Sequence, residues 1–457
     1  MNAMRRVRLP WTAALLALVI AAPGAALAQQ SGPETGPYRL TLGDAARLAA
    51  RRSASVLQAR SRVDQADARV RQSTSDLLPS VDASVVRGAR TFNTASFGLD
   101  FSIPGQPPLF DPGGEVVGPV RSADVRASAE VPLLDLAALK RRKSAQAGVD
   151  AAREEAHATE ERAAAMAAGA YLTALRSHAE VDARQQDLDL ARELLGVARS
   201  QVEAGVGVEL DVTRAEAQVA TVRAQLLAAR HKADVADLAL RRALHLPAGA
   251  AVELADDLES RPVGEAPTEA EAVTRALDAR GDLSTAEAYR DAAAQTLSAA
   301  RAGRLPRISA GIDEGYYGKR FGHMLNTYSW NLRVSMPLFE GFRRSGEIEE
   351  SRARIREMDY RIEDLEDQVA FQVRRALLNL SSAHEQADAA DERLRLANLE
   401  VQQEEERIRA GVAGTADVVR AAMRLNDART ARLDALVALH ASRVALAAAM
   451  GAVTELP

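Results

Sequence analysis

Two stretches of the chain, 135–202 and 340–409, lack proline and hold helix-forming residues almost throughout. Gly148, Gly169 and Gly196 are the only glycines in the first, and Gly341 and Gly346 the only ones in the second. At a rise of about 1.5 Å per residue, either stretch makes a single helix roughly 100 Å long. In the second, Ile348, Ile355, Met358, Ile362, Leu365 and Val369 step by seven, three and four residues, with Arg, Glu and Asp between them. That spacing predicts a coiled-coil seam with charged outer faces. An ordinary globular domain has no room for two such rods.

Elsewhere the period falls to two. Val81, Ala83 and Val85 alternate with Asp82 and Ser84, and Val125, Ala127, Ala129 and Val131 alternate with Arg126, Ser128 and Glu130. These predict a strand pair, joined by an exposed loop over the Gly- and Pro-rich stretch 88–119. Before the pair come a short helix, Leu42 to Arg52 with Thr41 as N-cap, and a second, Ser55 to Asp76, stopped by Leu78-Pro79. After it comes the first rod, then a reversal over 205–212, then a helix ending near Leu246-Pro247. A connector containing Pro, Gly and acids spans about 247–267.

The same order then begins again. Helices are expected from Glu269 to Asp278 and from Asp282 to Ala302, followed by Leu305-Pro306, two alternating strands and the second rod. Val131-Pro132-Leu133-Leu134 recurs as Met336-Pro337-Leu338-Phe339, and Gly205 with Asp211-Val212 as Gly411 with Asp417-Val418. Pro132 and Gly205 lie 73 residues apart, and Pro337 and Gly411 lie 74 apart. Only the strand-to-strand spacing differs, 53 residues between Pro79 and Pro132 against 31 between Pro306 and Pro337. A surface loop tolerates such a difference. The expected organisation is therefore a first repeat over 29–247, a connector over 248–267 and a second repeat over 268–457. Strand hairpins fall at 80–132 and 306–337, and long helix hairpins at 135–246 and 340–450.

In the second strand pair, Ile308, Ala310 and Ile312, and then Tyr328, Trp330, Leu332, Val334 and Met336, alternate with polar residues. One face is apolar with aromatics toward one end, and the other is polar. That fits the wall of a transmembrane β-barrel, with Tyr328 and Trp330 at a membrane interface. A soluble amphipathic hairpin would need a core to cover, and no other segment supplies one. Four strands cannot close a barrel, because about eight is the smallest that does. Several copies must contribute, and three copies give about twelve strands.

The N-terminus sharpens the address. Arg5, Arg6 and Arg8 precede an apolar stretch from Trp11 to Ala22, and Ala26-Leu27-Ala28 is a small-residue cleavage pattern. This predicts a secretory signal peptide over 1–28 rather than a membrane anchor, since Pro23-Gly24 breaks the apolar stretch. With no Cys, the chain forms no disulfide framework, thiolate metal site or Cys-borne lipid. A formal charge of -5 argues against a nucleic-acid partner.

No catalytic constellation is visible. The seven His residues stand apart in sequence, and no HExxH pair, Ser elbow or phosphate loop occurs. The chain reads as a non-enzyme without a cofactor or metal. Asp211 and Asp417 follow the two reversals as first-turn acids favoured by the helix dipole, with Thr415 as N-cap for the second. Gly205, Gly207, Gly411 and Gly414 supply the backbone conformations of the reversals.

Taken together, the duplicated order, the strand ends at Val131-Pro132-Leu133 and Met336-Pro337-Leu338, and the turns at Ala204-Gly205 and Ala410-Gly411 resemble the TolC family of outer-membrane efflux and export ducts. The resemblance runs from about Tyr38 to Gly451. It implies a mainly α, internally duplicated homotrimeric duct, a long α-helical barrel in the periplasm below a 12-stranded β-barrel in outer-membrane lipid. It implies a passive exit duct of a tripartite efflux or type I secretion system. Its partners would be a periplasmic adaptor (a membrane fusion protein) and an inner-membrane transporter of RND, ABC or MFS type. Gly205, Gly207, Gly411 and Gly414 would then lie in the adaptor-docking turns, and Asp211 and Asp417 would ring the periplasmic entrance. Some family members carry a second acid three positions on, where this chain has Arg214 and Arg420. These bases are expected to pair with the Asp residues across helices and hold the entrance shut. The family's N-terminal lipid on Cys and the C-terminal extension of some members are not expected here, since the sequence ends at Pro457. The alternative is a periplasmic adaptor, which needs one coiled-coil hairpin inside β-rich domains.

Overall fold

A computed structural model describes residues 38–97, 113–247, 249–260, 266–410 and 414–457. The expected signal peptide and Gly411 lie outside the described residues.

Chain order follows the expected repeat. Strand β1 (Tyr38–Leu40) leads into α1 (Leu42–Arg52), where Thr41 caps the helix by a capping box with Asp44. Helix α2 (Ala54–Ser75) carries the chain to β2 (Ser80–Asn93) and β3 (Val116–Leu134). The first rod is α3 (Leu136–Glu203), 68 residues capped by Asp135, and it returns as α4 (Glu209–Ala243). The second half gives α5 (Glu269–Ala279), α6 (Gly281–Ala302), β5 (Arg307–Arg320), β6 (His323–Ser335), α7 (Arg343–Arg409) and α8 (Thr415–Ala449). At about 1.5 Å per residue, α3 and α7 each run roughly 100 Å. None of the described helices is long and apolar enough to cross a membrane.

Each rod is flanked along its length by shorter helices, with α4, α2 and α6 against α3, and α8, α6 and α5 against α7. Alanine makes this possible. Ala163, Ala164, Ala167, Ala168 and Ala174 are buried along α3, so the neighbouring backbones approach closely. The expected seam on α7 holds, with Ile348 and Val369 buried, Ile355, Met358, Ile362 and Leu365 half-buried, and most residues between them exposed.

Four details depart from the sequence reading. The first strand pair is longer than expected, since β2 runs through Gly88 to Asn93 and β3 starts at Val116, which shortens the loop at both ends. Helix α4 ends at Ala243 rather than near Leu246, and His245 turns the chain with φ 54°. Helix α8 begins at Thr415, so its N-cap is Gly414, not Thr415. The connector is not structureless: β4 (Val252–Leu254) pairs in parallel with β1. That small sheet is pinned to the helices by Tyr171, whose fully buried hydroxyl donates to Leu40 O at 2.9 Å and accepts from Asp256 N at 3.2 Å. Burial raises the Tyr171 pKa above the usual phenol range. The adaptor alternative needs one hairpin between β-rich domains, whereas this chain folds two long hairpins onto a single four-stranded sheet.

Candidate functional site

The four strands β2, β3, β5 and β6 form one antiparallel sheet in the order β2-β3-β5-β6. All four join the helices at the same end of the sheet, and the helix turns lie at the far ends of α3 and α7. Cross-strand partners share a face, so the register sorts the side chains. Val81, Ala129, Ile312 and Trp330 form one row, and Ala83, Ala127, Glu314 and Tyr328 the next on the same face. The intervening row, Asp82, Ser128, Asp313 and Ser329, lies on the opposite face. Trp330 and Tyr328 are 74% and 73% exposed, so their apolar face is uncovered in the protomer.

The polar face carries its own network. Arg126 pairs with Asp313, stands 3.5 Å from Asp124, and donates to Thr327 Oγ1 at 3.2 Å. Gly315 lies between Arg126 and Thr327 on the same row, and its missing side chain lets the guanidinium cross over it.

Midway along the apolar face, Glu314 and Asn326 are polar. Glu314 lies there beside Tyr328 and accepts a hydrogen bond from Asn326 Nδ2 at 3.1 Å. If that face meets lipid, Glu314→Leu is expected to raise the thermal midpoint of the detergent-solubilised protein by a few degrees. A lowered midpoint would count against lipid contact.

At the opposite end of the molecule, α3 closes on Ala204 and Gly205 reverses the chain with φ 74°. The N–H groups of Val206 and Gly207 both donate to Gln201 O, at 3.0 and 2.9 Å. A Cβ on Gly207 would stand 3.0 Å from the Gln201 backbone, so the turn favours glycine at 207 for space and at 205 for its positive φ. Val206, Val208 and Leu210 around it are exposed. Neither α4 nor α8 has a side-chain N-cap bond, which leaves Glu209 and Asp211 on α4 and Asp417 on α8 as the first-turn acids answering the helix dipole.

Arg214 and Arg420 do pair with these acids, but not across helices. Arg214 stands 3.5 Å from Asp211, and Arg420 bonds Asp417, each three residues along the same helix. Within one helix turn the short reach wins over any partner on a neighbouring helix.

A second charged cluster was not legible in the sequence. Arg184 and Asp187 on α3 are almost fully buried and bond each other at 2.9 Å. From α8, Arg429 reaches Asp187 Oδ1 at 2.5 Å, Asn426 donates to Asp187 Oδ2 at 2.8 Å, and Thr430 Oγ1 accepts from Arg184 at 2.6 Å. This network ties one hairpin to the other.

A tall helical body under a sheet with one apolar and one polar face is the architecture of outer-membrane channels. The chain belongs to the outer membrane efflux protein family, whose model matches residues 45–245 and 272–452. Its place is therefore the outer membrane, with the helical body extending into the periplasm. Outer membrane efflux protein BepC of Brucella suis is 26% identical over 61% of this chain and 60% of its own length. Protein CyaE of Bordetella pertussis is 27% identical over 68% of this chain and 66% of its own. The chain thus matches about three-fifths to two-thirds of these relatives' lengths. In fold it resembles a membrane protein from Pseudomonas aeruginosa, with a TM-score of 0.74, 20% identity, and coverage of 90% and 93% of the two chains. It also resembles the open-state MtrE outer membrane channel of Neisseria gonorrhoeae, with a TM-score of 0.72, 19% identity, and coverage of 90% and 88%.

Proposed function

We propose that three copies of this chain form a passive outer-membrane exit duct of an efflux system, opening at its periplasmic turns when an adaptor and an inner-membrane pump dock. The observation that carries this reading is the four-stranded sheet with two free edges and an uncovered apolar face. Free backbone groups at β2 and β6 are costly in lipid, so the edges must pair with other copies. β2 runs away from the helices and β6 runs toward them, so a copy's β2 meets the next copy's β6 antiparallel. Three copies close a barrel of about twelve strands. Trp330 then faces lipid near the periplasmic membrane interface with Tyr328 one row deeper, and the polar face lines the water-filled lumen.

The same symmetry gathers the turns. Asp211 and Asp417 from three copies place about six carboxylates near the entrance, each with an arginine one turn along its own helix. Such a ring favours cations, and the arginines lower the repulsion of a closed state. The exposed Val206, Val208 and Leu210, with Gly205 and Gly207 in the first turn and Gly414 at the start of α8, offer the adaptor its docking surface. Cargo follows from the pump that delivers it.

Single-channel conductance in planar bilayers, with the mass of the detergent-solubilised protein, tests this. The expected result is a trimer with a small cation-selective conductance. It should rise several-fold and lose selectivity in Asp417→Ala/Arg420→Ala and Asp211→Ala/Arg214→Ala. Unchanged conductance and selectivity in both variants would remove the gate assignment. A water-soluble monomer that never inserts would remove the duct.

A further inference from the structure

The apolar face of the sheet ends in positive charge at the edge farthest from the helices. On β2, Arg87 follows Val81, Ala83 and Val85 on that face, and on β3, Arg121 follows Val131, Ala129, Ala127, Val125 and Ala123. Lys319 and Arg320 close the β5–β6 hairpin beside them, and Phe321 at its tip lies 5.9 Å from the Arg87 guanidinium. All four cations are exposed, and none is paired with a carboxylate among the described residues. Arg126 lower in the sheet is different, being held by Asp313 and Asp124 on the other face. Arg87 and Arg121 leave unpaired charge on the face that elsewhere is apolar, and Lys319 and Arg320 add to it from the hairpin end at the same level, which calls for a partner of its own.

The level is informative. Val131 and Arg121 span ten residues of β3, about 34 Å along the strand at 3.4 Å per residue, or about 26 Å along the membrane normal at a tilt near 40°. The apolar band of an outer-membrane barrel is about 25 Å tall. With Val131 at the periplasmic edge of that band, Arg121 stands at the headgroups of the outer leaflet. A lipid-facing guanidinium at that depth escapes the hydrocarbon and meets phosphate, which it binds by paired, charge-assisted hydrogen bonds.

We propose that Arg87, Arg121, Lys319 and Arg320 form a basic collar on the outer rim of the barrel that binds the phosphate groups of an outer-leaflet glycolipid. The collar rests on the barrel reading given above, which sets which face meets lipid and which end lies outside. Repeated in three copies, it surrounds the rim with about twelve cations. Its occupant is a membrane lipid, because the apolar rows directly beneath the cations match acyl chains and leave a free phosphate no second contact.

The test uses the full-length protein in phosphatidylcholine nanodiscs with and without lipid A, a bis-phosphorylated glycolipid, reading bound lipid by native mass spectrometry. Lipid A should be retained by the wild type, and at least about tenfold more weakly by the R87Q/R121Q/K319Q/R320Q variant. Dephosphorylated lipid A should be retained weakly by the unaltered protein, a result that does not depend on the variant folding. Equal retention of lipid A and its dephosphorylated form by the wild type would overturn the collar. So would displacement of lipid A by inorganic phosphate at equal phosphate concentration, which would make the site one for free anions. A wild type that enters nanodiscs but shows no lipid preference overturns the collar alone. One that enters no bilayer overturns the barrel first, and the collar with it.

Discussion

Asp187→Ala is expected to lower the stability of the folded protein by about 3–5 kcal/mol, because it leaves the buried Arg184 and the half-buried Arg429 without their counter-charge. Asp187 is the centre of the network between α3 and α8: its two oxygens accept from Arg184 and Asn426 on one side and from Arg429 on the other. The side chains of Asp187 and Arg184 are only 5% and 10% exposed, so water cannot take the missing partner's place. Asp189→Ala, two residues on, is the matched control. Asp189 also bonds an arginine of its own helix, Arg192 at 3.4 Å, but both side chains are more than half exposed. Pairs of that kind contribute about 0–1 kcal/mol. Thermal unfolding of the two variants in the same detergent should separate them clearly. If Asp187→Ala unfolds no earlier than Asp189→Ala, the network does not hold the hairpins together.

The network also sets where motion is possible. Asp187 lies about 24 Å from the tip end of α3 at 1.5 Å per residue. Nearer the tip, Leu194, Ile408 and Val418 form a small cluster between the hairpins, and Ala198, Val212 and Ala215 another within the first hairpin. In the proposed opening, the turns part by separating the smaller apolar contacts below the network while the charged tie above them stays closed. Apolar contacts of that size exchange more readily than a buried charge network, which must lose all its bonds together.

What was legible in the sequence and what was not follow from the range of each interaction. Helix α1 was read to the residue because its signals are local: the Thr41–Asp44 capping box at one end and Ser53 at the other. The rods and strand alternation were legible because each repeats a short period over many residues. The ends of β2 and β3 were misread because Gly88, Gly114 and Pro119 carry turn chemistry locally, while pairing to a partner strand overrides it. The β1–β4 pair has three residues on each side, too short to show any period, and its partners are joined only through the fold. Asp187 and Arg429 are 242 residues apart, and each reads in sequence as one more solvated charge on a polar helix. The sequence pairs Asp211 and Asp417 with Arg214 and Arg420, and in the protomer each pair closes within one helix rather than across helices. The three-residue spacing to Arg214 and Arg420 itself carried the answer, since it is helix-neighbour spacing.

In the sheet, Gly315→Val is the substitution expected to do most damage. A Cβ at position 315 would come within 2.8 Å of the Arg126 Cα, a backbone contact that cannot swing aside. Either β3 and β5 separate at this row or the new side chain is forced off its rotamer, and overpacking of this kind costs about 1–3 kcal/mol. A second loss adds to the first. The Arg126 guanidinium crosses the space above Gly315 to reach Thr327 on β6, and a valine side chain would fill that space. Arg126 would then stand on the polar face with its cross-sheet tie cut. Gly322→Val is the control, since a Cβ there meets nothing within 4 Å. The measurement is the amount of assembled, heat-sensitive oligomer recovered from outer membranes. Gly322→Val should match the wild type, and Gly315→Val should fall to a small fraction of it. Equal recovery of the two variants would mean that β3 and β5 do not pair in the register that places Gly315 opposite Arg126, and the sorting of the two faces would have to be redrawn.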